Sequence, residues 1–325
     1  MLFSYIEIGD KMFYKISVRK ILISLCALFA MTLIYLIPKE EKFTQELNYT
    51  NENLVFNDIY LLDDYNYISL TEVPVSGKDI IEKAKELLSI LTIDGTFNEF
   101  VPNGFKATIP SDTRVLSVDY VDNVLKVNFS KEFLDIKEEY EEDLISSIVY
   151  TLTSLEDVNG VILFVDGDVL TCLPSGRFLP ALLDRNYGVN RIYDIENYKN
   201  VMSVNIYYVA KNKDDFYYVP VTKYVNDEHE KISVIIEELT SMNTYNTNLI
   251  SFLNSNTKLL EASNEDNILT LTFNNYIFDD IENSKILEEV IYTISLSVKD
   301  NYDVSDVVFV VDNEQIYKST LKMLD

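Results

Sequence analysis

Nineteen residues occur twice in this chain, and one copy lies on the other without a gap. Residues 111–129 read SDTRVLSVDYVDNVLKVNF, and residues 255–273 read SNTKLLEASNEDNILTLTF. Seven of the 19 positions are identical, and pairs such as Arg114/Lys258 and Val124/Ile268 are chemically close. Self-similarity at a fixed offset sets an architecture. A unit this long, used twice, points to two tandem domains rather than a solenoid. The 325 residues give each a sizeable core. Each copy predicts a β-hairpin. Asp122-Asn123 and Asp266-Asn267 tolerate positive φ and bond their own backbone. The runs that follow, Val124–Phe129 and Ile268–Phe273, are β-branched and aromatic.

The surroundings repeat as well. An opening strand pair spans 55–61 and 65–73, and Asp63-Asp64-Tyr65 matches Asp214-Asp215-Phe216 after the strand 201–209. A helix over about 78–91 follows, with Ile80, Ile81, Ala84, Leu87, Leu88 and Leu91 in one stripe and Ser76 as its cap. Its counterpart is 230–242, with Ile232, Ile235, Ile236 and Leu239 inward. After each defining hairpin comes a second helix. One carries Ile145, Ile148, Val149, Leu152 and Leu155, the other Ile286, Leu287, Val290, Ile291 and Ile294, with Tyr150-Thr151 matched to Tyr292-Thr293. Apolar strands at 161–166 and 307–312 close the units. The fold class is therefore α+β: two small sheet-plus-helices domains in tandem, helix-strand-strand-helix-strand behind a leading hairpin. The helices are expected on one face of each sheet, with a right-handed crossover where the joined strands are parallel.

Ahead of them, residues 21–37 are 17 uncharged, mostly apolar residues, stopped by Pro38 and Lys39 and preceded by Lys11, Lys15, Arg19 and Lys20. That length suffices for a spanning helix of roughly 17–25 residues. The basic flank keeps residues 1–20 cytoplasmic and exports everything after Pro38. A cleaved signal peptide lacks an Ala-x-Ala site here. Acylation at Cys26 meets Leu25 where a small residue is expected. The retained anchor, 21–38, is the preferred reading. The polar spacer is 39–53, the first domain 54–172, a connection 173–200 and the second domain 201–325. The leucines of the connection suggest packing on the first domain.

A formal net charge of −26 repels phosphate backbones and anionic headgroups, which argues against nucleic-acid binding and peripheral lipid binding. Cys172 reads as a small buried residue and His229 as a surface residue at a helix start. The run Glu138-Glu139-Tyr140-Glu141-Glu142-Asp143 reads as acids favoured in a first helical turn rather than a metal site. No catalytic, cofactor-binding or metal residue is singled out. Tyr207, Tyr208, Tyr217 and Tyr218 raise a glycan platform as an alternative to sheet packing.

The order Ile109-Pro110-Ser111-Asp112-Thr113-Arg114-Val115-Leu116, then Asp122-Asn123 to Phe133, then Val149-Tyr150-Thr151-Leu152-Thr153, Val158-Asn159-Gly160-Val161 and Val165-Asp166-Gly167, resembles the GerM-type sporulation and spore-germination domain. Asn256-Thr257-Lys258-Leu259-Leu260 and Val311-Asp312-Asn313 look like a diverged second member. The resemblance implies an exported, membrane-attached protein with paired domains, acting between mother cell and forespore. It also implies a fold similar to the ring-building domains of secretion-system channels. The expected role is a non-enzymatic scaffold whose partners are other sporulation membrane or channel proteins, or copies of itself. A wall-glycan-binding module is the alternative, and a peptidoglycan hydrolase a weaker one.

Overall fold

The computed structural model describes residues 22–23, 25–29, 31, 55–213, 215–241 and 248–321. Within the proposed anchor the described residues are helical and their apolar side chains exposed, Leu22, Ile23, Leu25 and Leu28 among them. Among the described residues no helix is long and apolar enough to cross a membrane. The rest of 21–38, the basic segment, the spacer, Asp214 and Met242 lie outside the described residues.

The chain from Asn53 on is one compact unit. The first repeat runs β1 (Val55–Asp63), β2 (Ile68–Val75), α1 (Ile80–Ile90), β3 (Phe105–Lys106), β4 (Val115–Val121), β5 (Val124–Phe129), α2 (Glu141–Leu152), β6 (Gly160–Val165) and β7 (Asp168–Val169). The connection adds β8 (Ile192–Asp194). The second repeat runs β9 (Met202–Asn212), β10 (Asp215–Val225), α3 (Lys231–Ser241), β11 (Leu259–Glu265), β12 (Ile268–Phe273), α4 (Glu288–Asn301), β13 (Asp306–Val311) and β14 (Glu314–Thr320).

Both defining hairpins form as the Asp-Asn pairs require. Asp122 and Asn123 have φ of 52° and 62°, and Asp266 and Asn267 have φ of 51° and 62°. Positive φ at both central residues suits the right-handed twist of the strands. In each repeat the second hairpin strand then pairs parallel with the closing strand, Val124 opposite Gly160 and Ile268 opposite Asp306. The intervening helix makes the crossover. A fourth strand, absent from the sequence reading, folds back through Asp166-Gly167 and Asp312-Asn313, again with positive φ. Each repeat thus carries a four-stranded sheet, β4-β5-β6-β7 or β11-β12-β13-β14.

The leading hairpins depart from expectation. Each packs on its own repeat's second helix, but its strands stay out of that repeat's four-stranded sheet. Both enter one six-stranded sheet of order β3-β1-β2-β10-β8, with β9 on β10. Antiparallel β2 and β10 meet at Leu70 and Tyr218. The helices are correspondingly not on one face of a small sheet. α2 packs on both β1 and β6, and every residue from Leu144 to Leu152 is buried. A helix buried all round lies inside a core, not over it.

Smaller corrections follow the same logic. α1 is capped by Asp79, whose carboxylate accepts from the Glu82 N–H at 2.8 Å. Ser76 instead donates from its N–H and hydroxyl to the Glu86 carboxylate. Cys172 is exposed, because Leu173 and Leu179 take the buried face of its small hairpin. His229 needs no correction: it is exposed just ahead of α3, its Nδ1 2.7 Å from Asp227 Oδ1. The connection packs as expected, with Leu173, Leu179, Leu183 and Val189 in the first repeat's core.

The Asn123 turn gives a direct check. A β-branched residue held at positive φ costs about 1–2 kcal/mol, whereas glycine adopts it freely. Asn123→Val should lower the urea-unfolding free energy by about that amount, and Asn123→Gly should leave it within about 0.5 kcal/mol of the parent.

Candidate functional site

The structure gathers buried polar groups where the two repeats meet. Tyr60 on β1 and Tyr207 on β9 occupy equivalent places and meet hydroxyl to hydroxyl at 2.8 Å. Each has its backbone N–H satisfied by its own repeat's helix: Tyr60 donates to Thr151 Oγ1 and Tyr207 to Ser297 Oγ, both at 2.9 Å. Thr151 and Ser297 are therefore the true counterparts, 146 residues apart. The same shift carries Gly160 onto Asp306 at the start of the closing strands. Matching Tyr150-Thr151 to Tyr292-Thr293 is wrong by one helical turn. Tyr150 is fully buried while Tyr292 is 45% exposed.

Arg185, from the connection, closes the joint. Its Nη1 donates to Asp300 Oδ1 at 2.6 Å and to the hydroxyls of Tyr60 and Tyr207 at 3.3 Å. Nη2 donates to the Tyr150 carbonyl and Nε to Thr153 Oγ1. The guanidinium lies 4.6 Å from the centre of the Tyr150 ring, within cation–π range. Tyr207 donates its hydroxyl to Asp300 Oδ2 at 2.9 Å, so the Tyr60 hydroxyl supplies the proton between the two tyrosines. Burial pushes the Tyr60 phenol up to about 12, and pushes Tyr150 and Tyr207 up as well. Burial alone would pull Arg185 down, but Asp300 and the tyrosines more than reverse it. The phenols stay neutral and the guanidinium stays charged across physiological pH. This is a joint of neutral phenols around a charged guanidinium.

Two further contacts cross the seam. Asp63 accepts from the hydroxyls of Ser69 and Tyr217 and from the N–H groups of Tyr65 and Tyr67. Asn190 fills the gap beside the single β2–β10 pair, accepting from Ile68 N and donating to the carbonyls of Ile68 and Pro220. The tyrosines offered as a glycan platform are spent here: Tyr207, Tyr208 and Tyr217 are buried and Tyr218 is half-buried.

The acidic run divides four ways. Glu138–Tyr140 is a turn of 3-10 helix ahead of α2. Glu141 is buried and accepts from the Ser175 N–H and hydroxyl, pinning the hairpin of the connection. Glu142 pairs with Arg177 and Arg191. Asp143 faces a cleft of about 790 Å³, walled by the 93–110 segment and by Asp135, Ile136, Lys137 and Tyr140. Burial, helped by the Glu142 charge, pushes its carboxyl up to about 6. Nothing in the run's composition separates Asp143 from its neighbours; only the fold does. Among the described residues no three His, Cys, Asp or Glu side chains converge as metal ligands.

Comparison with known proteins then identifies the chain. The model of the Germane family, sporulation and spore germination, matches residues 58–171 and 205–317. The chain belongs to the Germane family. Over 259 residues it is 31% identical to spore germination protein GerM of Bacillus subtilis (strain 168), covering 78% of this chain and 70% of that protein. The solved tandem GerMN domains of the sporulation protein GerM from Bacillus subtilis superpose with a TM-score of 0.73 at 30% identity, over 80% of this chain and 92% of that one. The two family matches coincide with the two repeats, so the seam joins one Germane domain to the other.

Two outcomes test this geometry. Removing one partner of a buried ion pair strands the other, at a cost of about 3–5 kcal/mol, whereas replacing both can be nearly neutral. Arg185→Met should lower the urea midpoint sharply, and Arg185→Met with Asp300→Leu should recover at least half of that loss. Asp143 has the opposite sign from a salt-bridged acid. Its folded pKa lies above its unfolded value, so the stability it permits is full below pH 3.8 and is lost as pH rises through about 6. Asp143→Asn should therefore be more stable than the parent by about 1 kcal/mol at pH 7, after discount for its half-exposed position, and equal to it at pH 3.

Proposed function

We propose that this protein is a non-enzymatic, membrane-anchored assembly factor of sporulation or germination. Its two Germane domains stand in the extracytoplasmic space between mother cell and forespore. The observation that carries the reading is the pair of equivalent open edges on a jointed body. β4 and β11 are each the outer strand of a four-stranded sheet, and each carries a bulge at the same place. The bulged residues are Leu116 and Leu260, 47% and 62% exposed. An unpaired edge is a template for another chain, and a bulge both limits indiscriminate pairing and re-aims a side chain. Two such edges, held in fixed relation by the Arg185 joint, suit a protein whose work is to bring other components together. Residues 21–37, with their basic flank, supply the anchor in this reading, and 39–53 the tether.

The test uses Leu116→Arg with Leu260→Arg in the full chain. Circular dichroism should match the parent, and the yield of heat-resistant spores in a sporulating host should fall at least tenfold. Parent-level spore yield from this double variant would rule out assembly through these edges. Protease added to intact cells stripped of wall should digest residues beyond the spacer, and recovery of the whole chain in the cytosol would end the anchored reading.

A further inference from the structure

The cleft beside Asp143 lies far in chemistry from the seam. Its volume, about 790 Å³, is ample for one side chain of a bound peptide. Ile93, Val101, Phe105 and Ile136 give it apolar walls, and the exposed ring of Tyr140 borders it. Its two cations are already engaged: Lys106 with Asp64 at 3.3 Å, and Lys137 with Glu139 at 3.7 Å. Asp143, half-buried in the wall, receives neither a hydrogen bond nor an ion pair from the described residues. A half-buried carboxylate with no cationic partner, in a cleft that has apolar walls and the further acids Asp94 and Asp135, is matched by a cation at the end of an apolar stem. The chain's net charge of −26 draws such a ligand in.

We propose that this cleft binds a lysine side chain presented by an extended, apolar-flanked peptide segment of a protein partner. The ammonium pairs with Asp143 while its methylene stem lies along Ile93 and Ile136. Lysine suits the place because its four-carbon stem takes apolar cover and its head is a compact charge. The pairing also removes the cost that Asp143 imposes on the free protein, since an opposite charge beside a desolvated carboxylate restores its ionised form. The inference rests on the assembly reading only in taking the peptide to come from a partner protein.

The full chain in detergent micelles is titrated calorimetrically at pH 7.5 and low salt. The probes are acetyl-Leu-Lys-Leu-amide and acetyl-Leu-norleucine-Leu-amide, which keeps the stem and drops the charge. The lysine peptide should bind at least tenfold more tightly. Asp143→Asn, folded by circular dichroism, should reduce it to the norleucine level, and Ile93→Asn should weaken both peptides several-fold. Equal binding of the two peptides by the parent, or an undiminished lysine preference in Asp143→Asn, overturns the proposal. A failed titration leaves the edge-strand reading standing, and normal sporulation of the Leu116/Leu260 variant leaves the cleft standing.

Discussion

One guanidinium holds the two halves of this protein in register. Arg185 reaches Asp300 of the second repeat while lying over Tyr150 and bonding to Thr153 and to the Tyr150 carbonyl of the first. A buried ion pair contributes little net stability, because desolvating two charges offsets most of their attraction. What it adds is geometry. Each of the three guanidinium nitrogens has a directed acceptor, and the two tyrosine hydroxyls have only one order in which to donate. An apolar seam of equal area would tolerate sliding of one repeat over the other; this one does not. The fixed relation of the two outer edge strands follows from it.

The same chemistry explains why the seam is mechanical. Its phenols are driven up by burial and its arginine cannot lose its proton, so neither kind of group changes charge near neutrality. Among the described residues the carboxyl pushed up toward neutrality is Asp143, and it sits in a cleft lined by the first repeat. Joint and cleft thus divide the labour. One spans the two domains, and the other is lined by residues of the first.

Much of this was legible in the residues. Asp122-Asn123 and Asp266-Asn267 located both hairpins, and the apolar runs after Gly160 and Ser305 located both closing strands. Asp166-Gly167 carried an equally good turn signal for the fourth strand, but Val169 and the polar β14 lack the alternation that marks a buried strand. The shared central sheet was not legible at all. A strand's pattern tells which faces are buried but not whose edge lies beside it, and Leu70 and Tyr218 are 148 residues apart. Arg185 was hidden for a related reason: it lies in a stretch rich in Asp, Asn and Gly that reads as a linker. The coincidence of two Tyr-Thr pairs concealed the two extra residues that place Ser297, not Thr293, opposite Thr151.

The sheet common to both repeats has a consequence for how the chain comes together. During synthesis the first repeat is complete by about residue 190, yet Leu70 on its β2 edge has no strand partner, and the Tyr60 hydroxyl lacks its Tyr207 partner, until β9 and β10 arrive. Domains fold as they emerge, and exposed strand edges are where they misassemble. Because β10 of any neighbouring molecule matches that edge as well as the chain's own, crowded nascent chains are liable to exchange halves. The short span between Arg185 and β9 works against this. It keeps the correct partner at high local concentration, so that intramolecular closure outruns swapping.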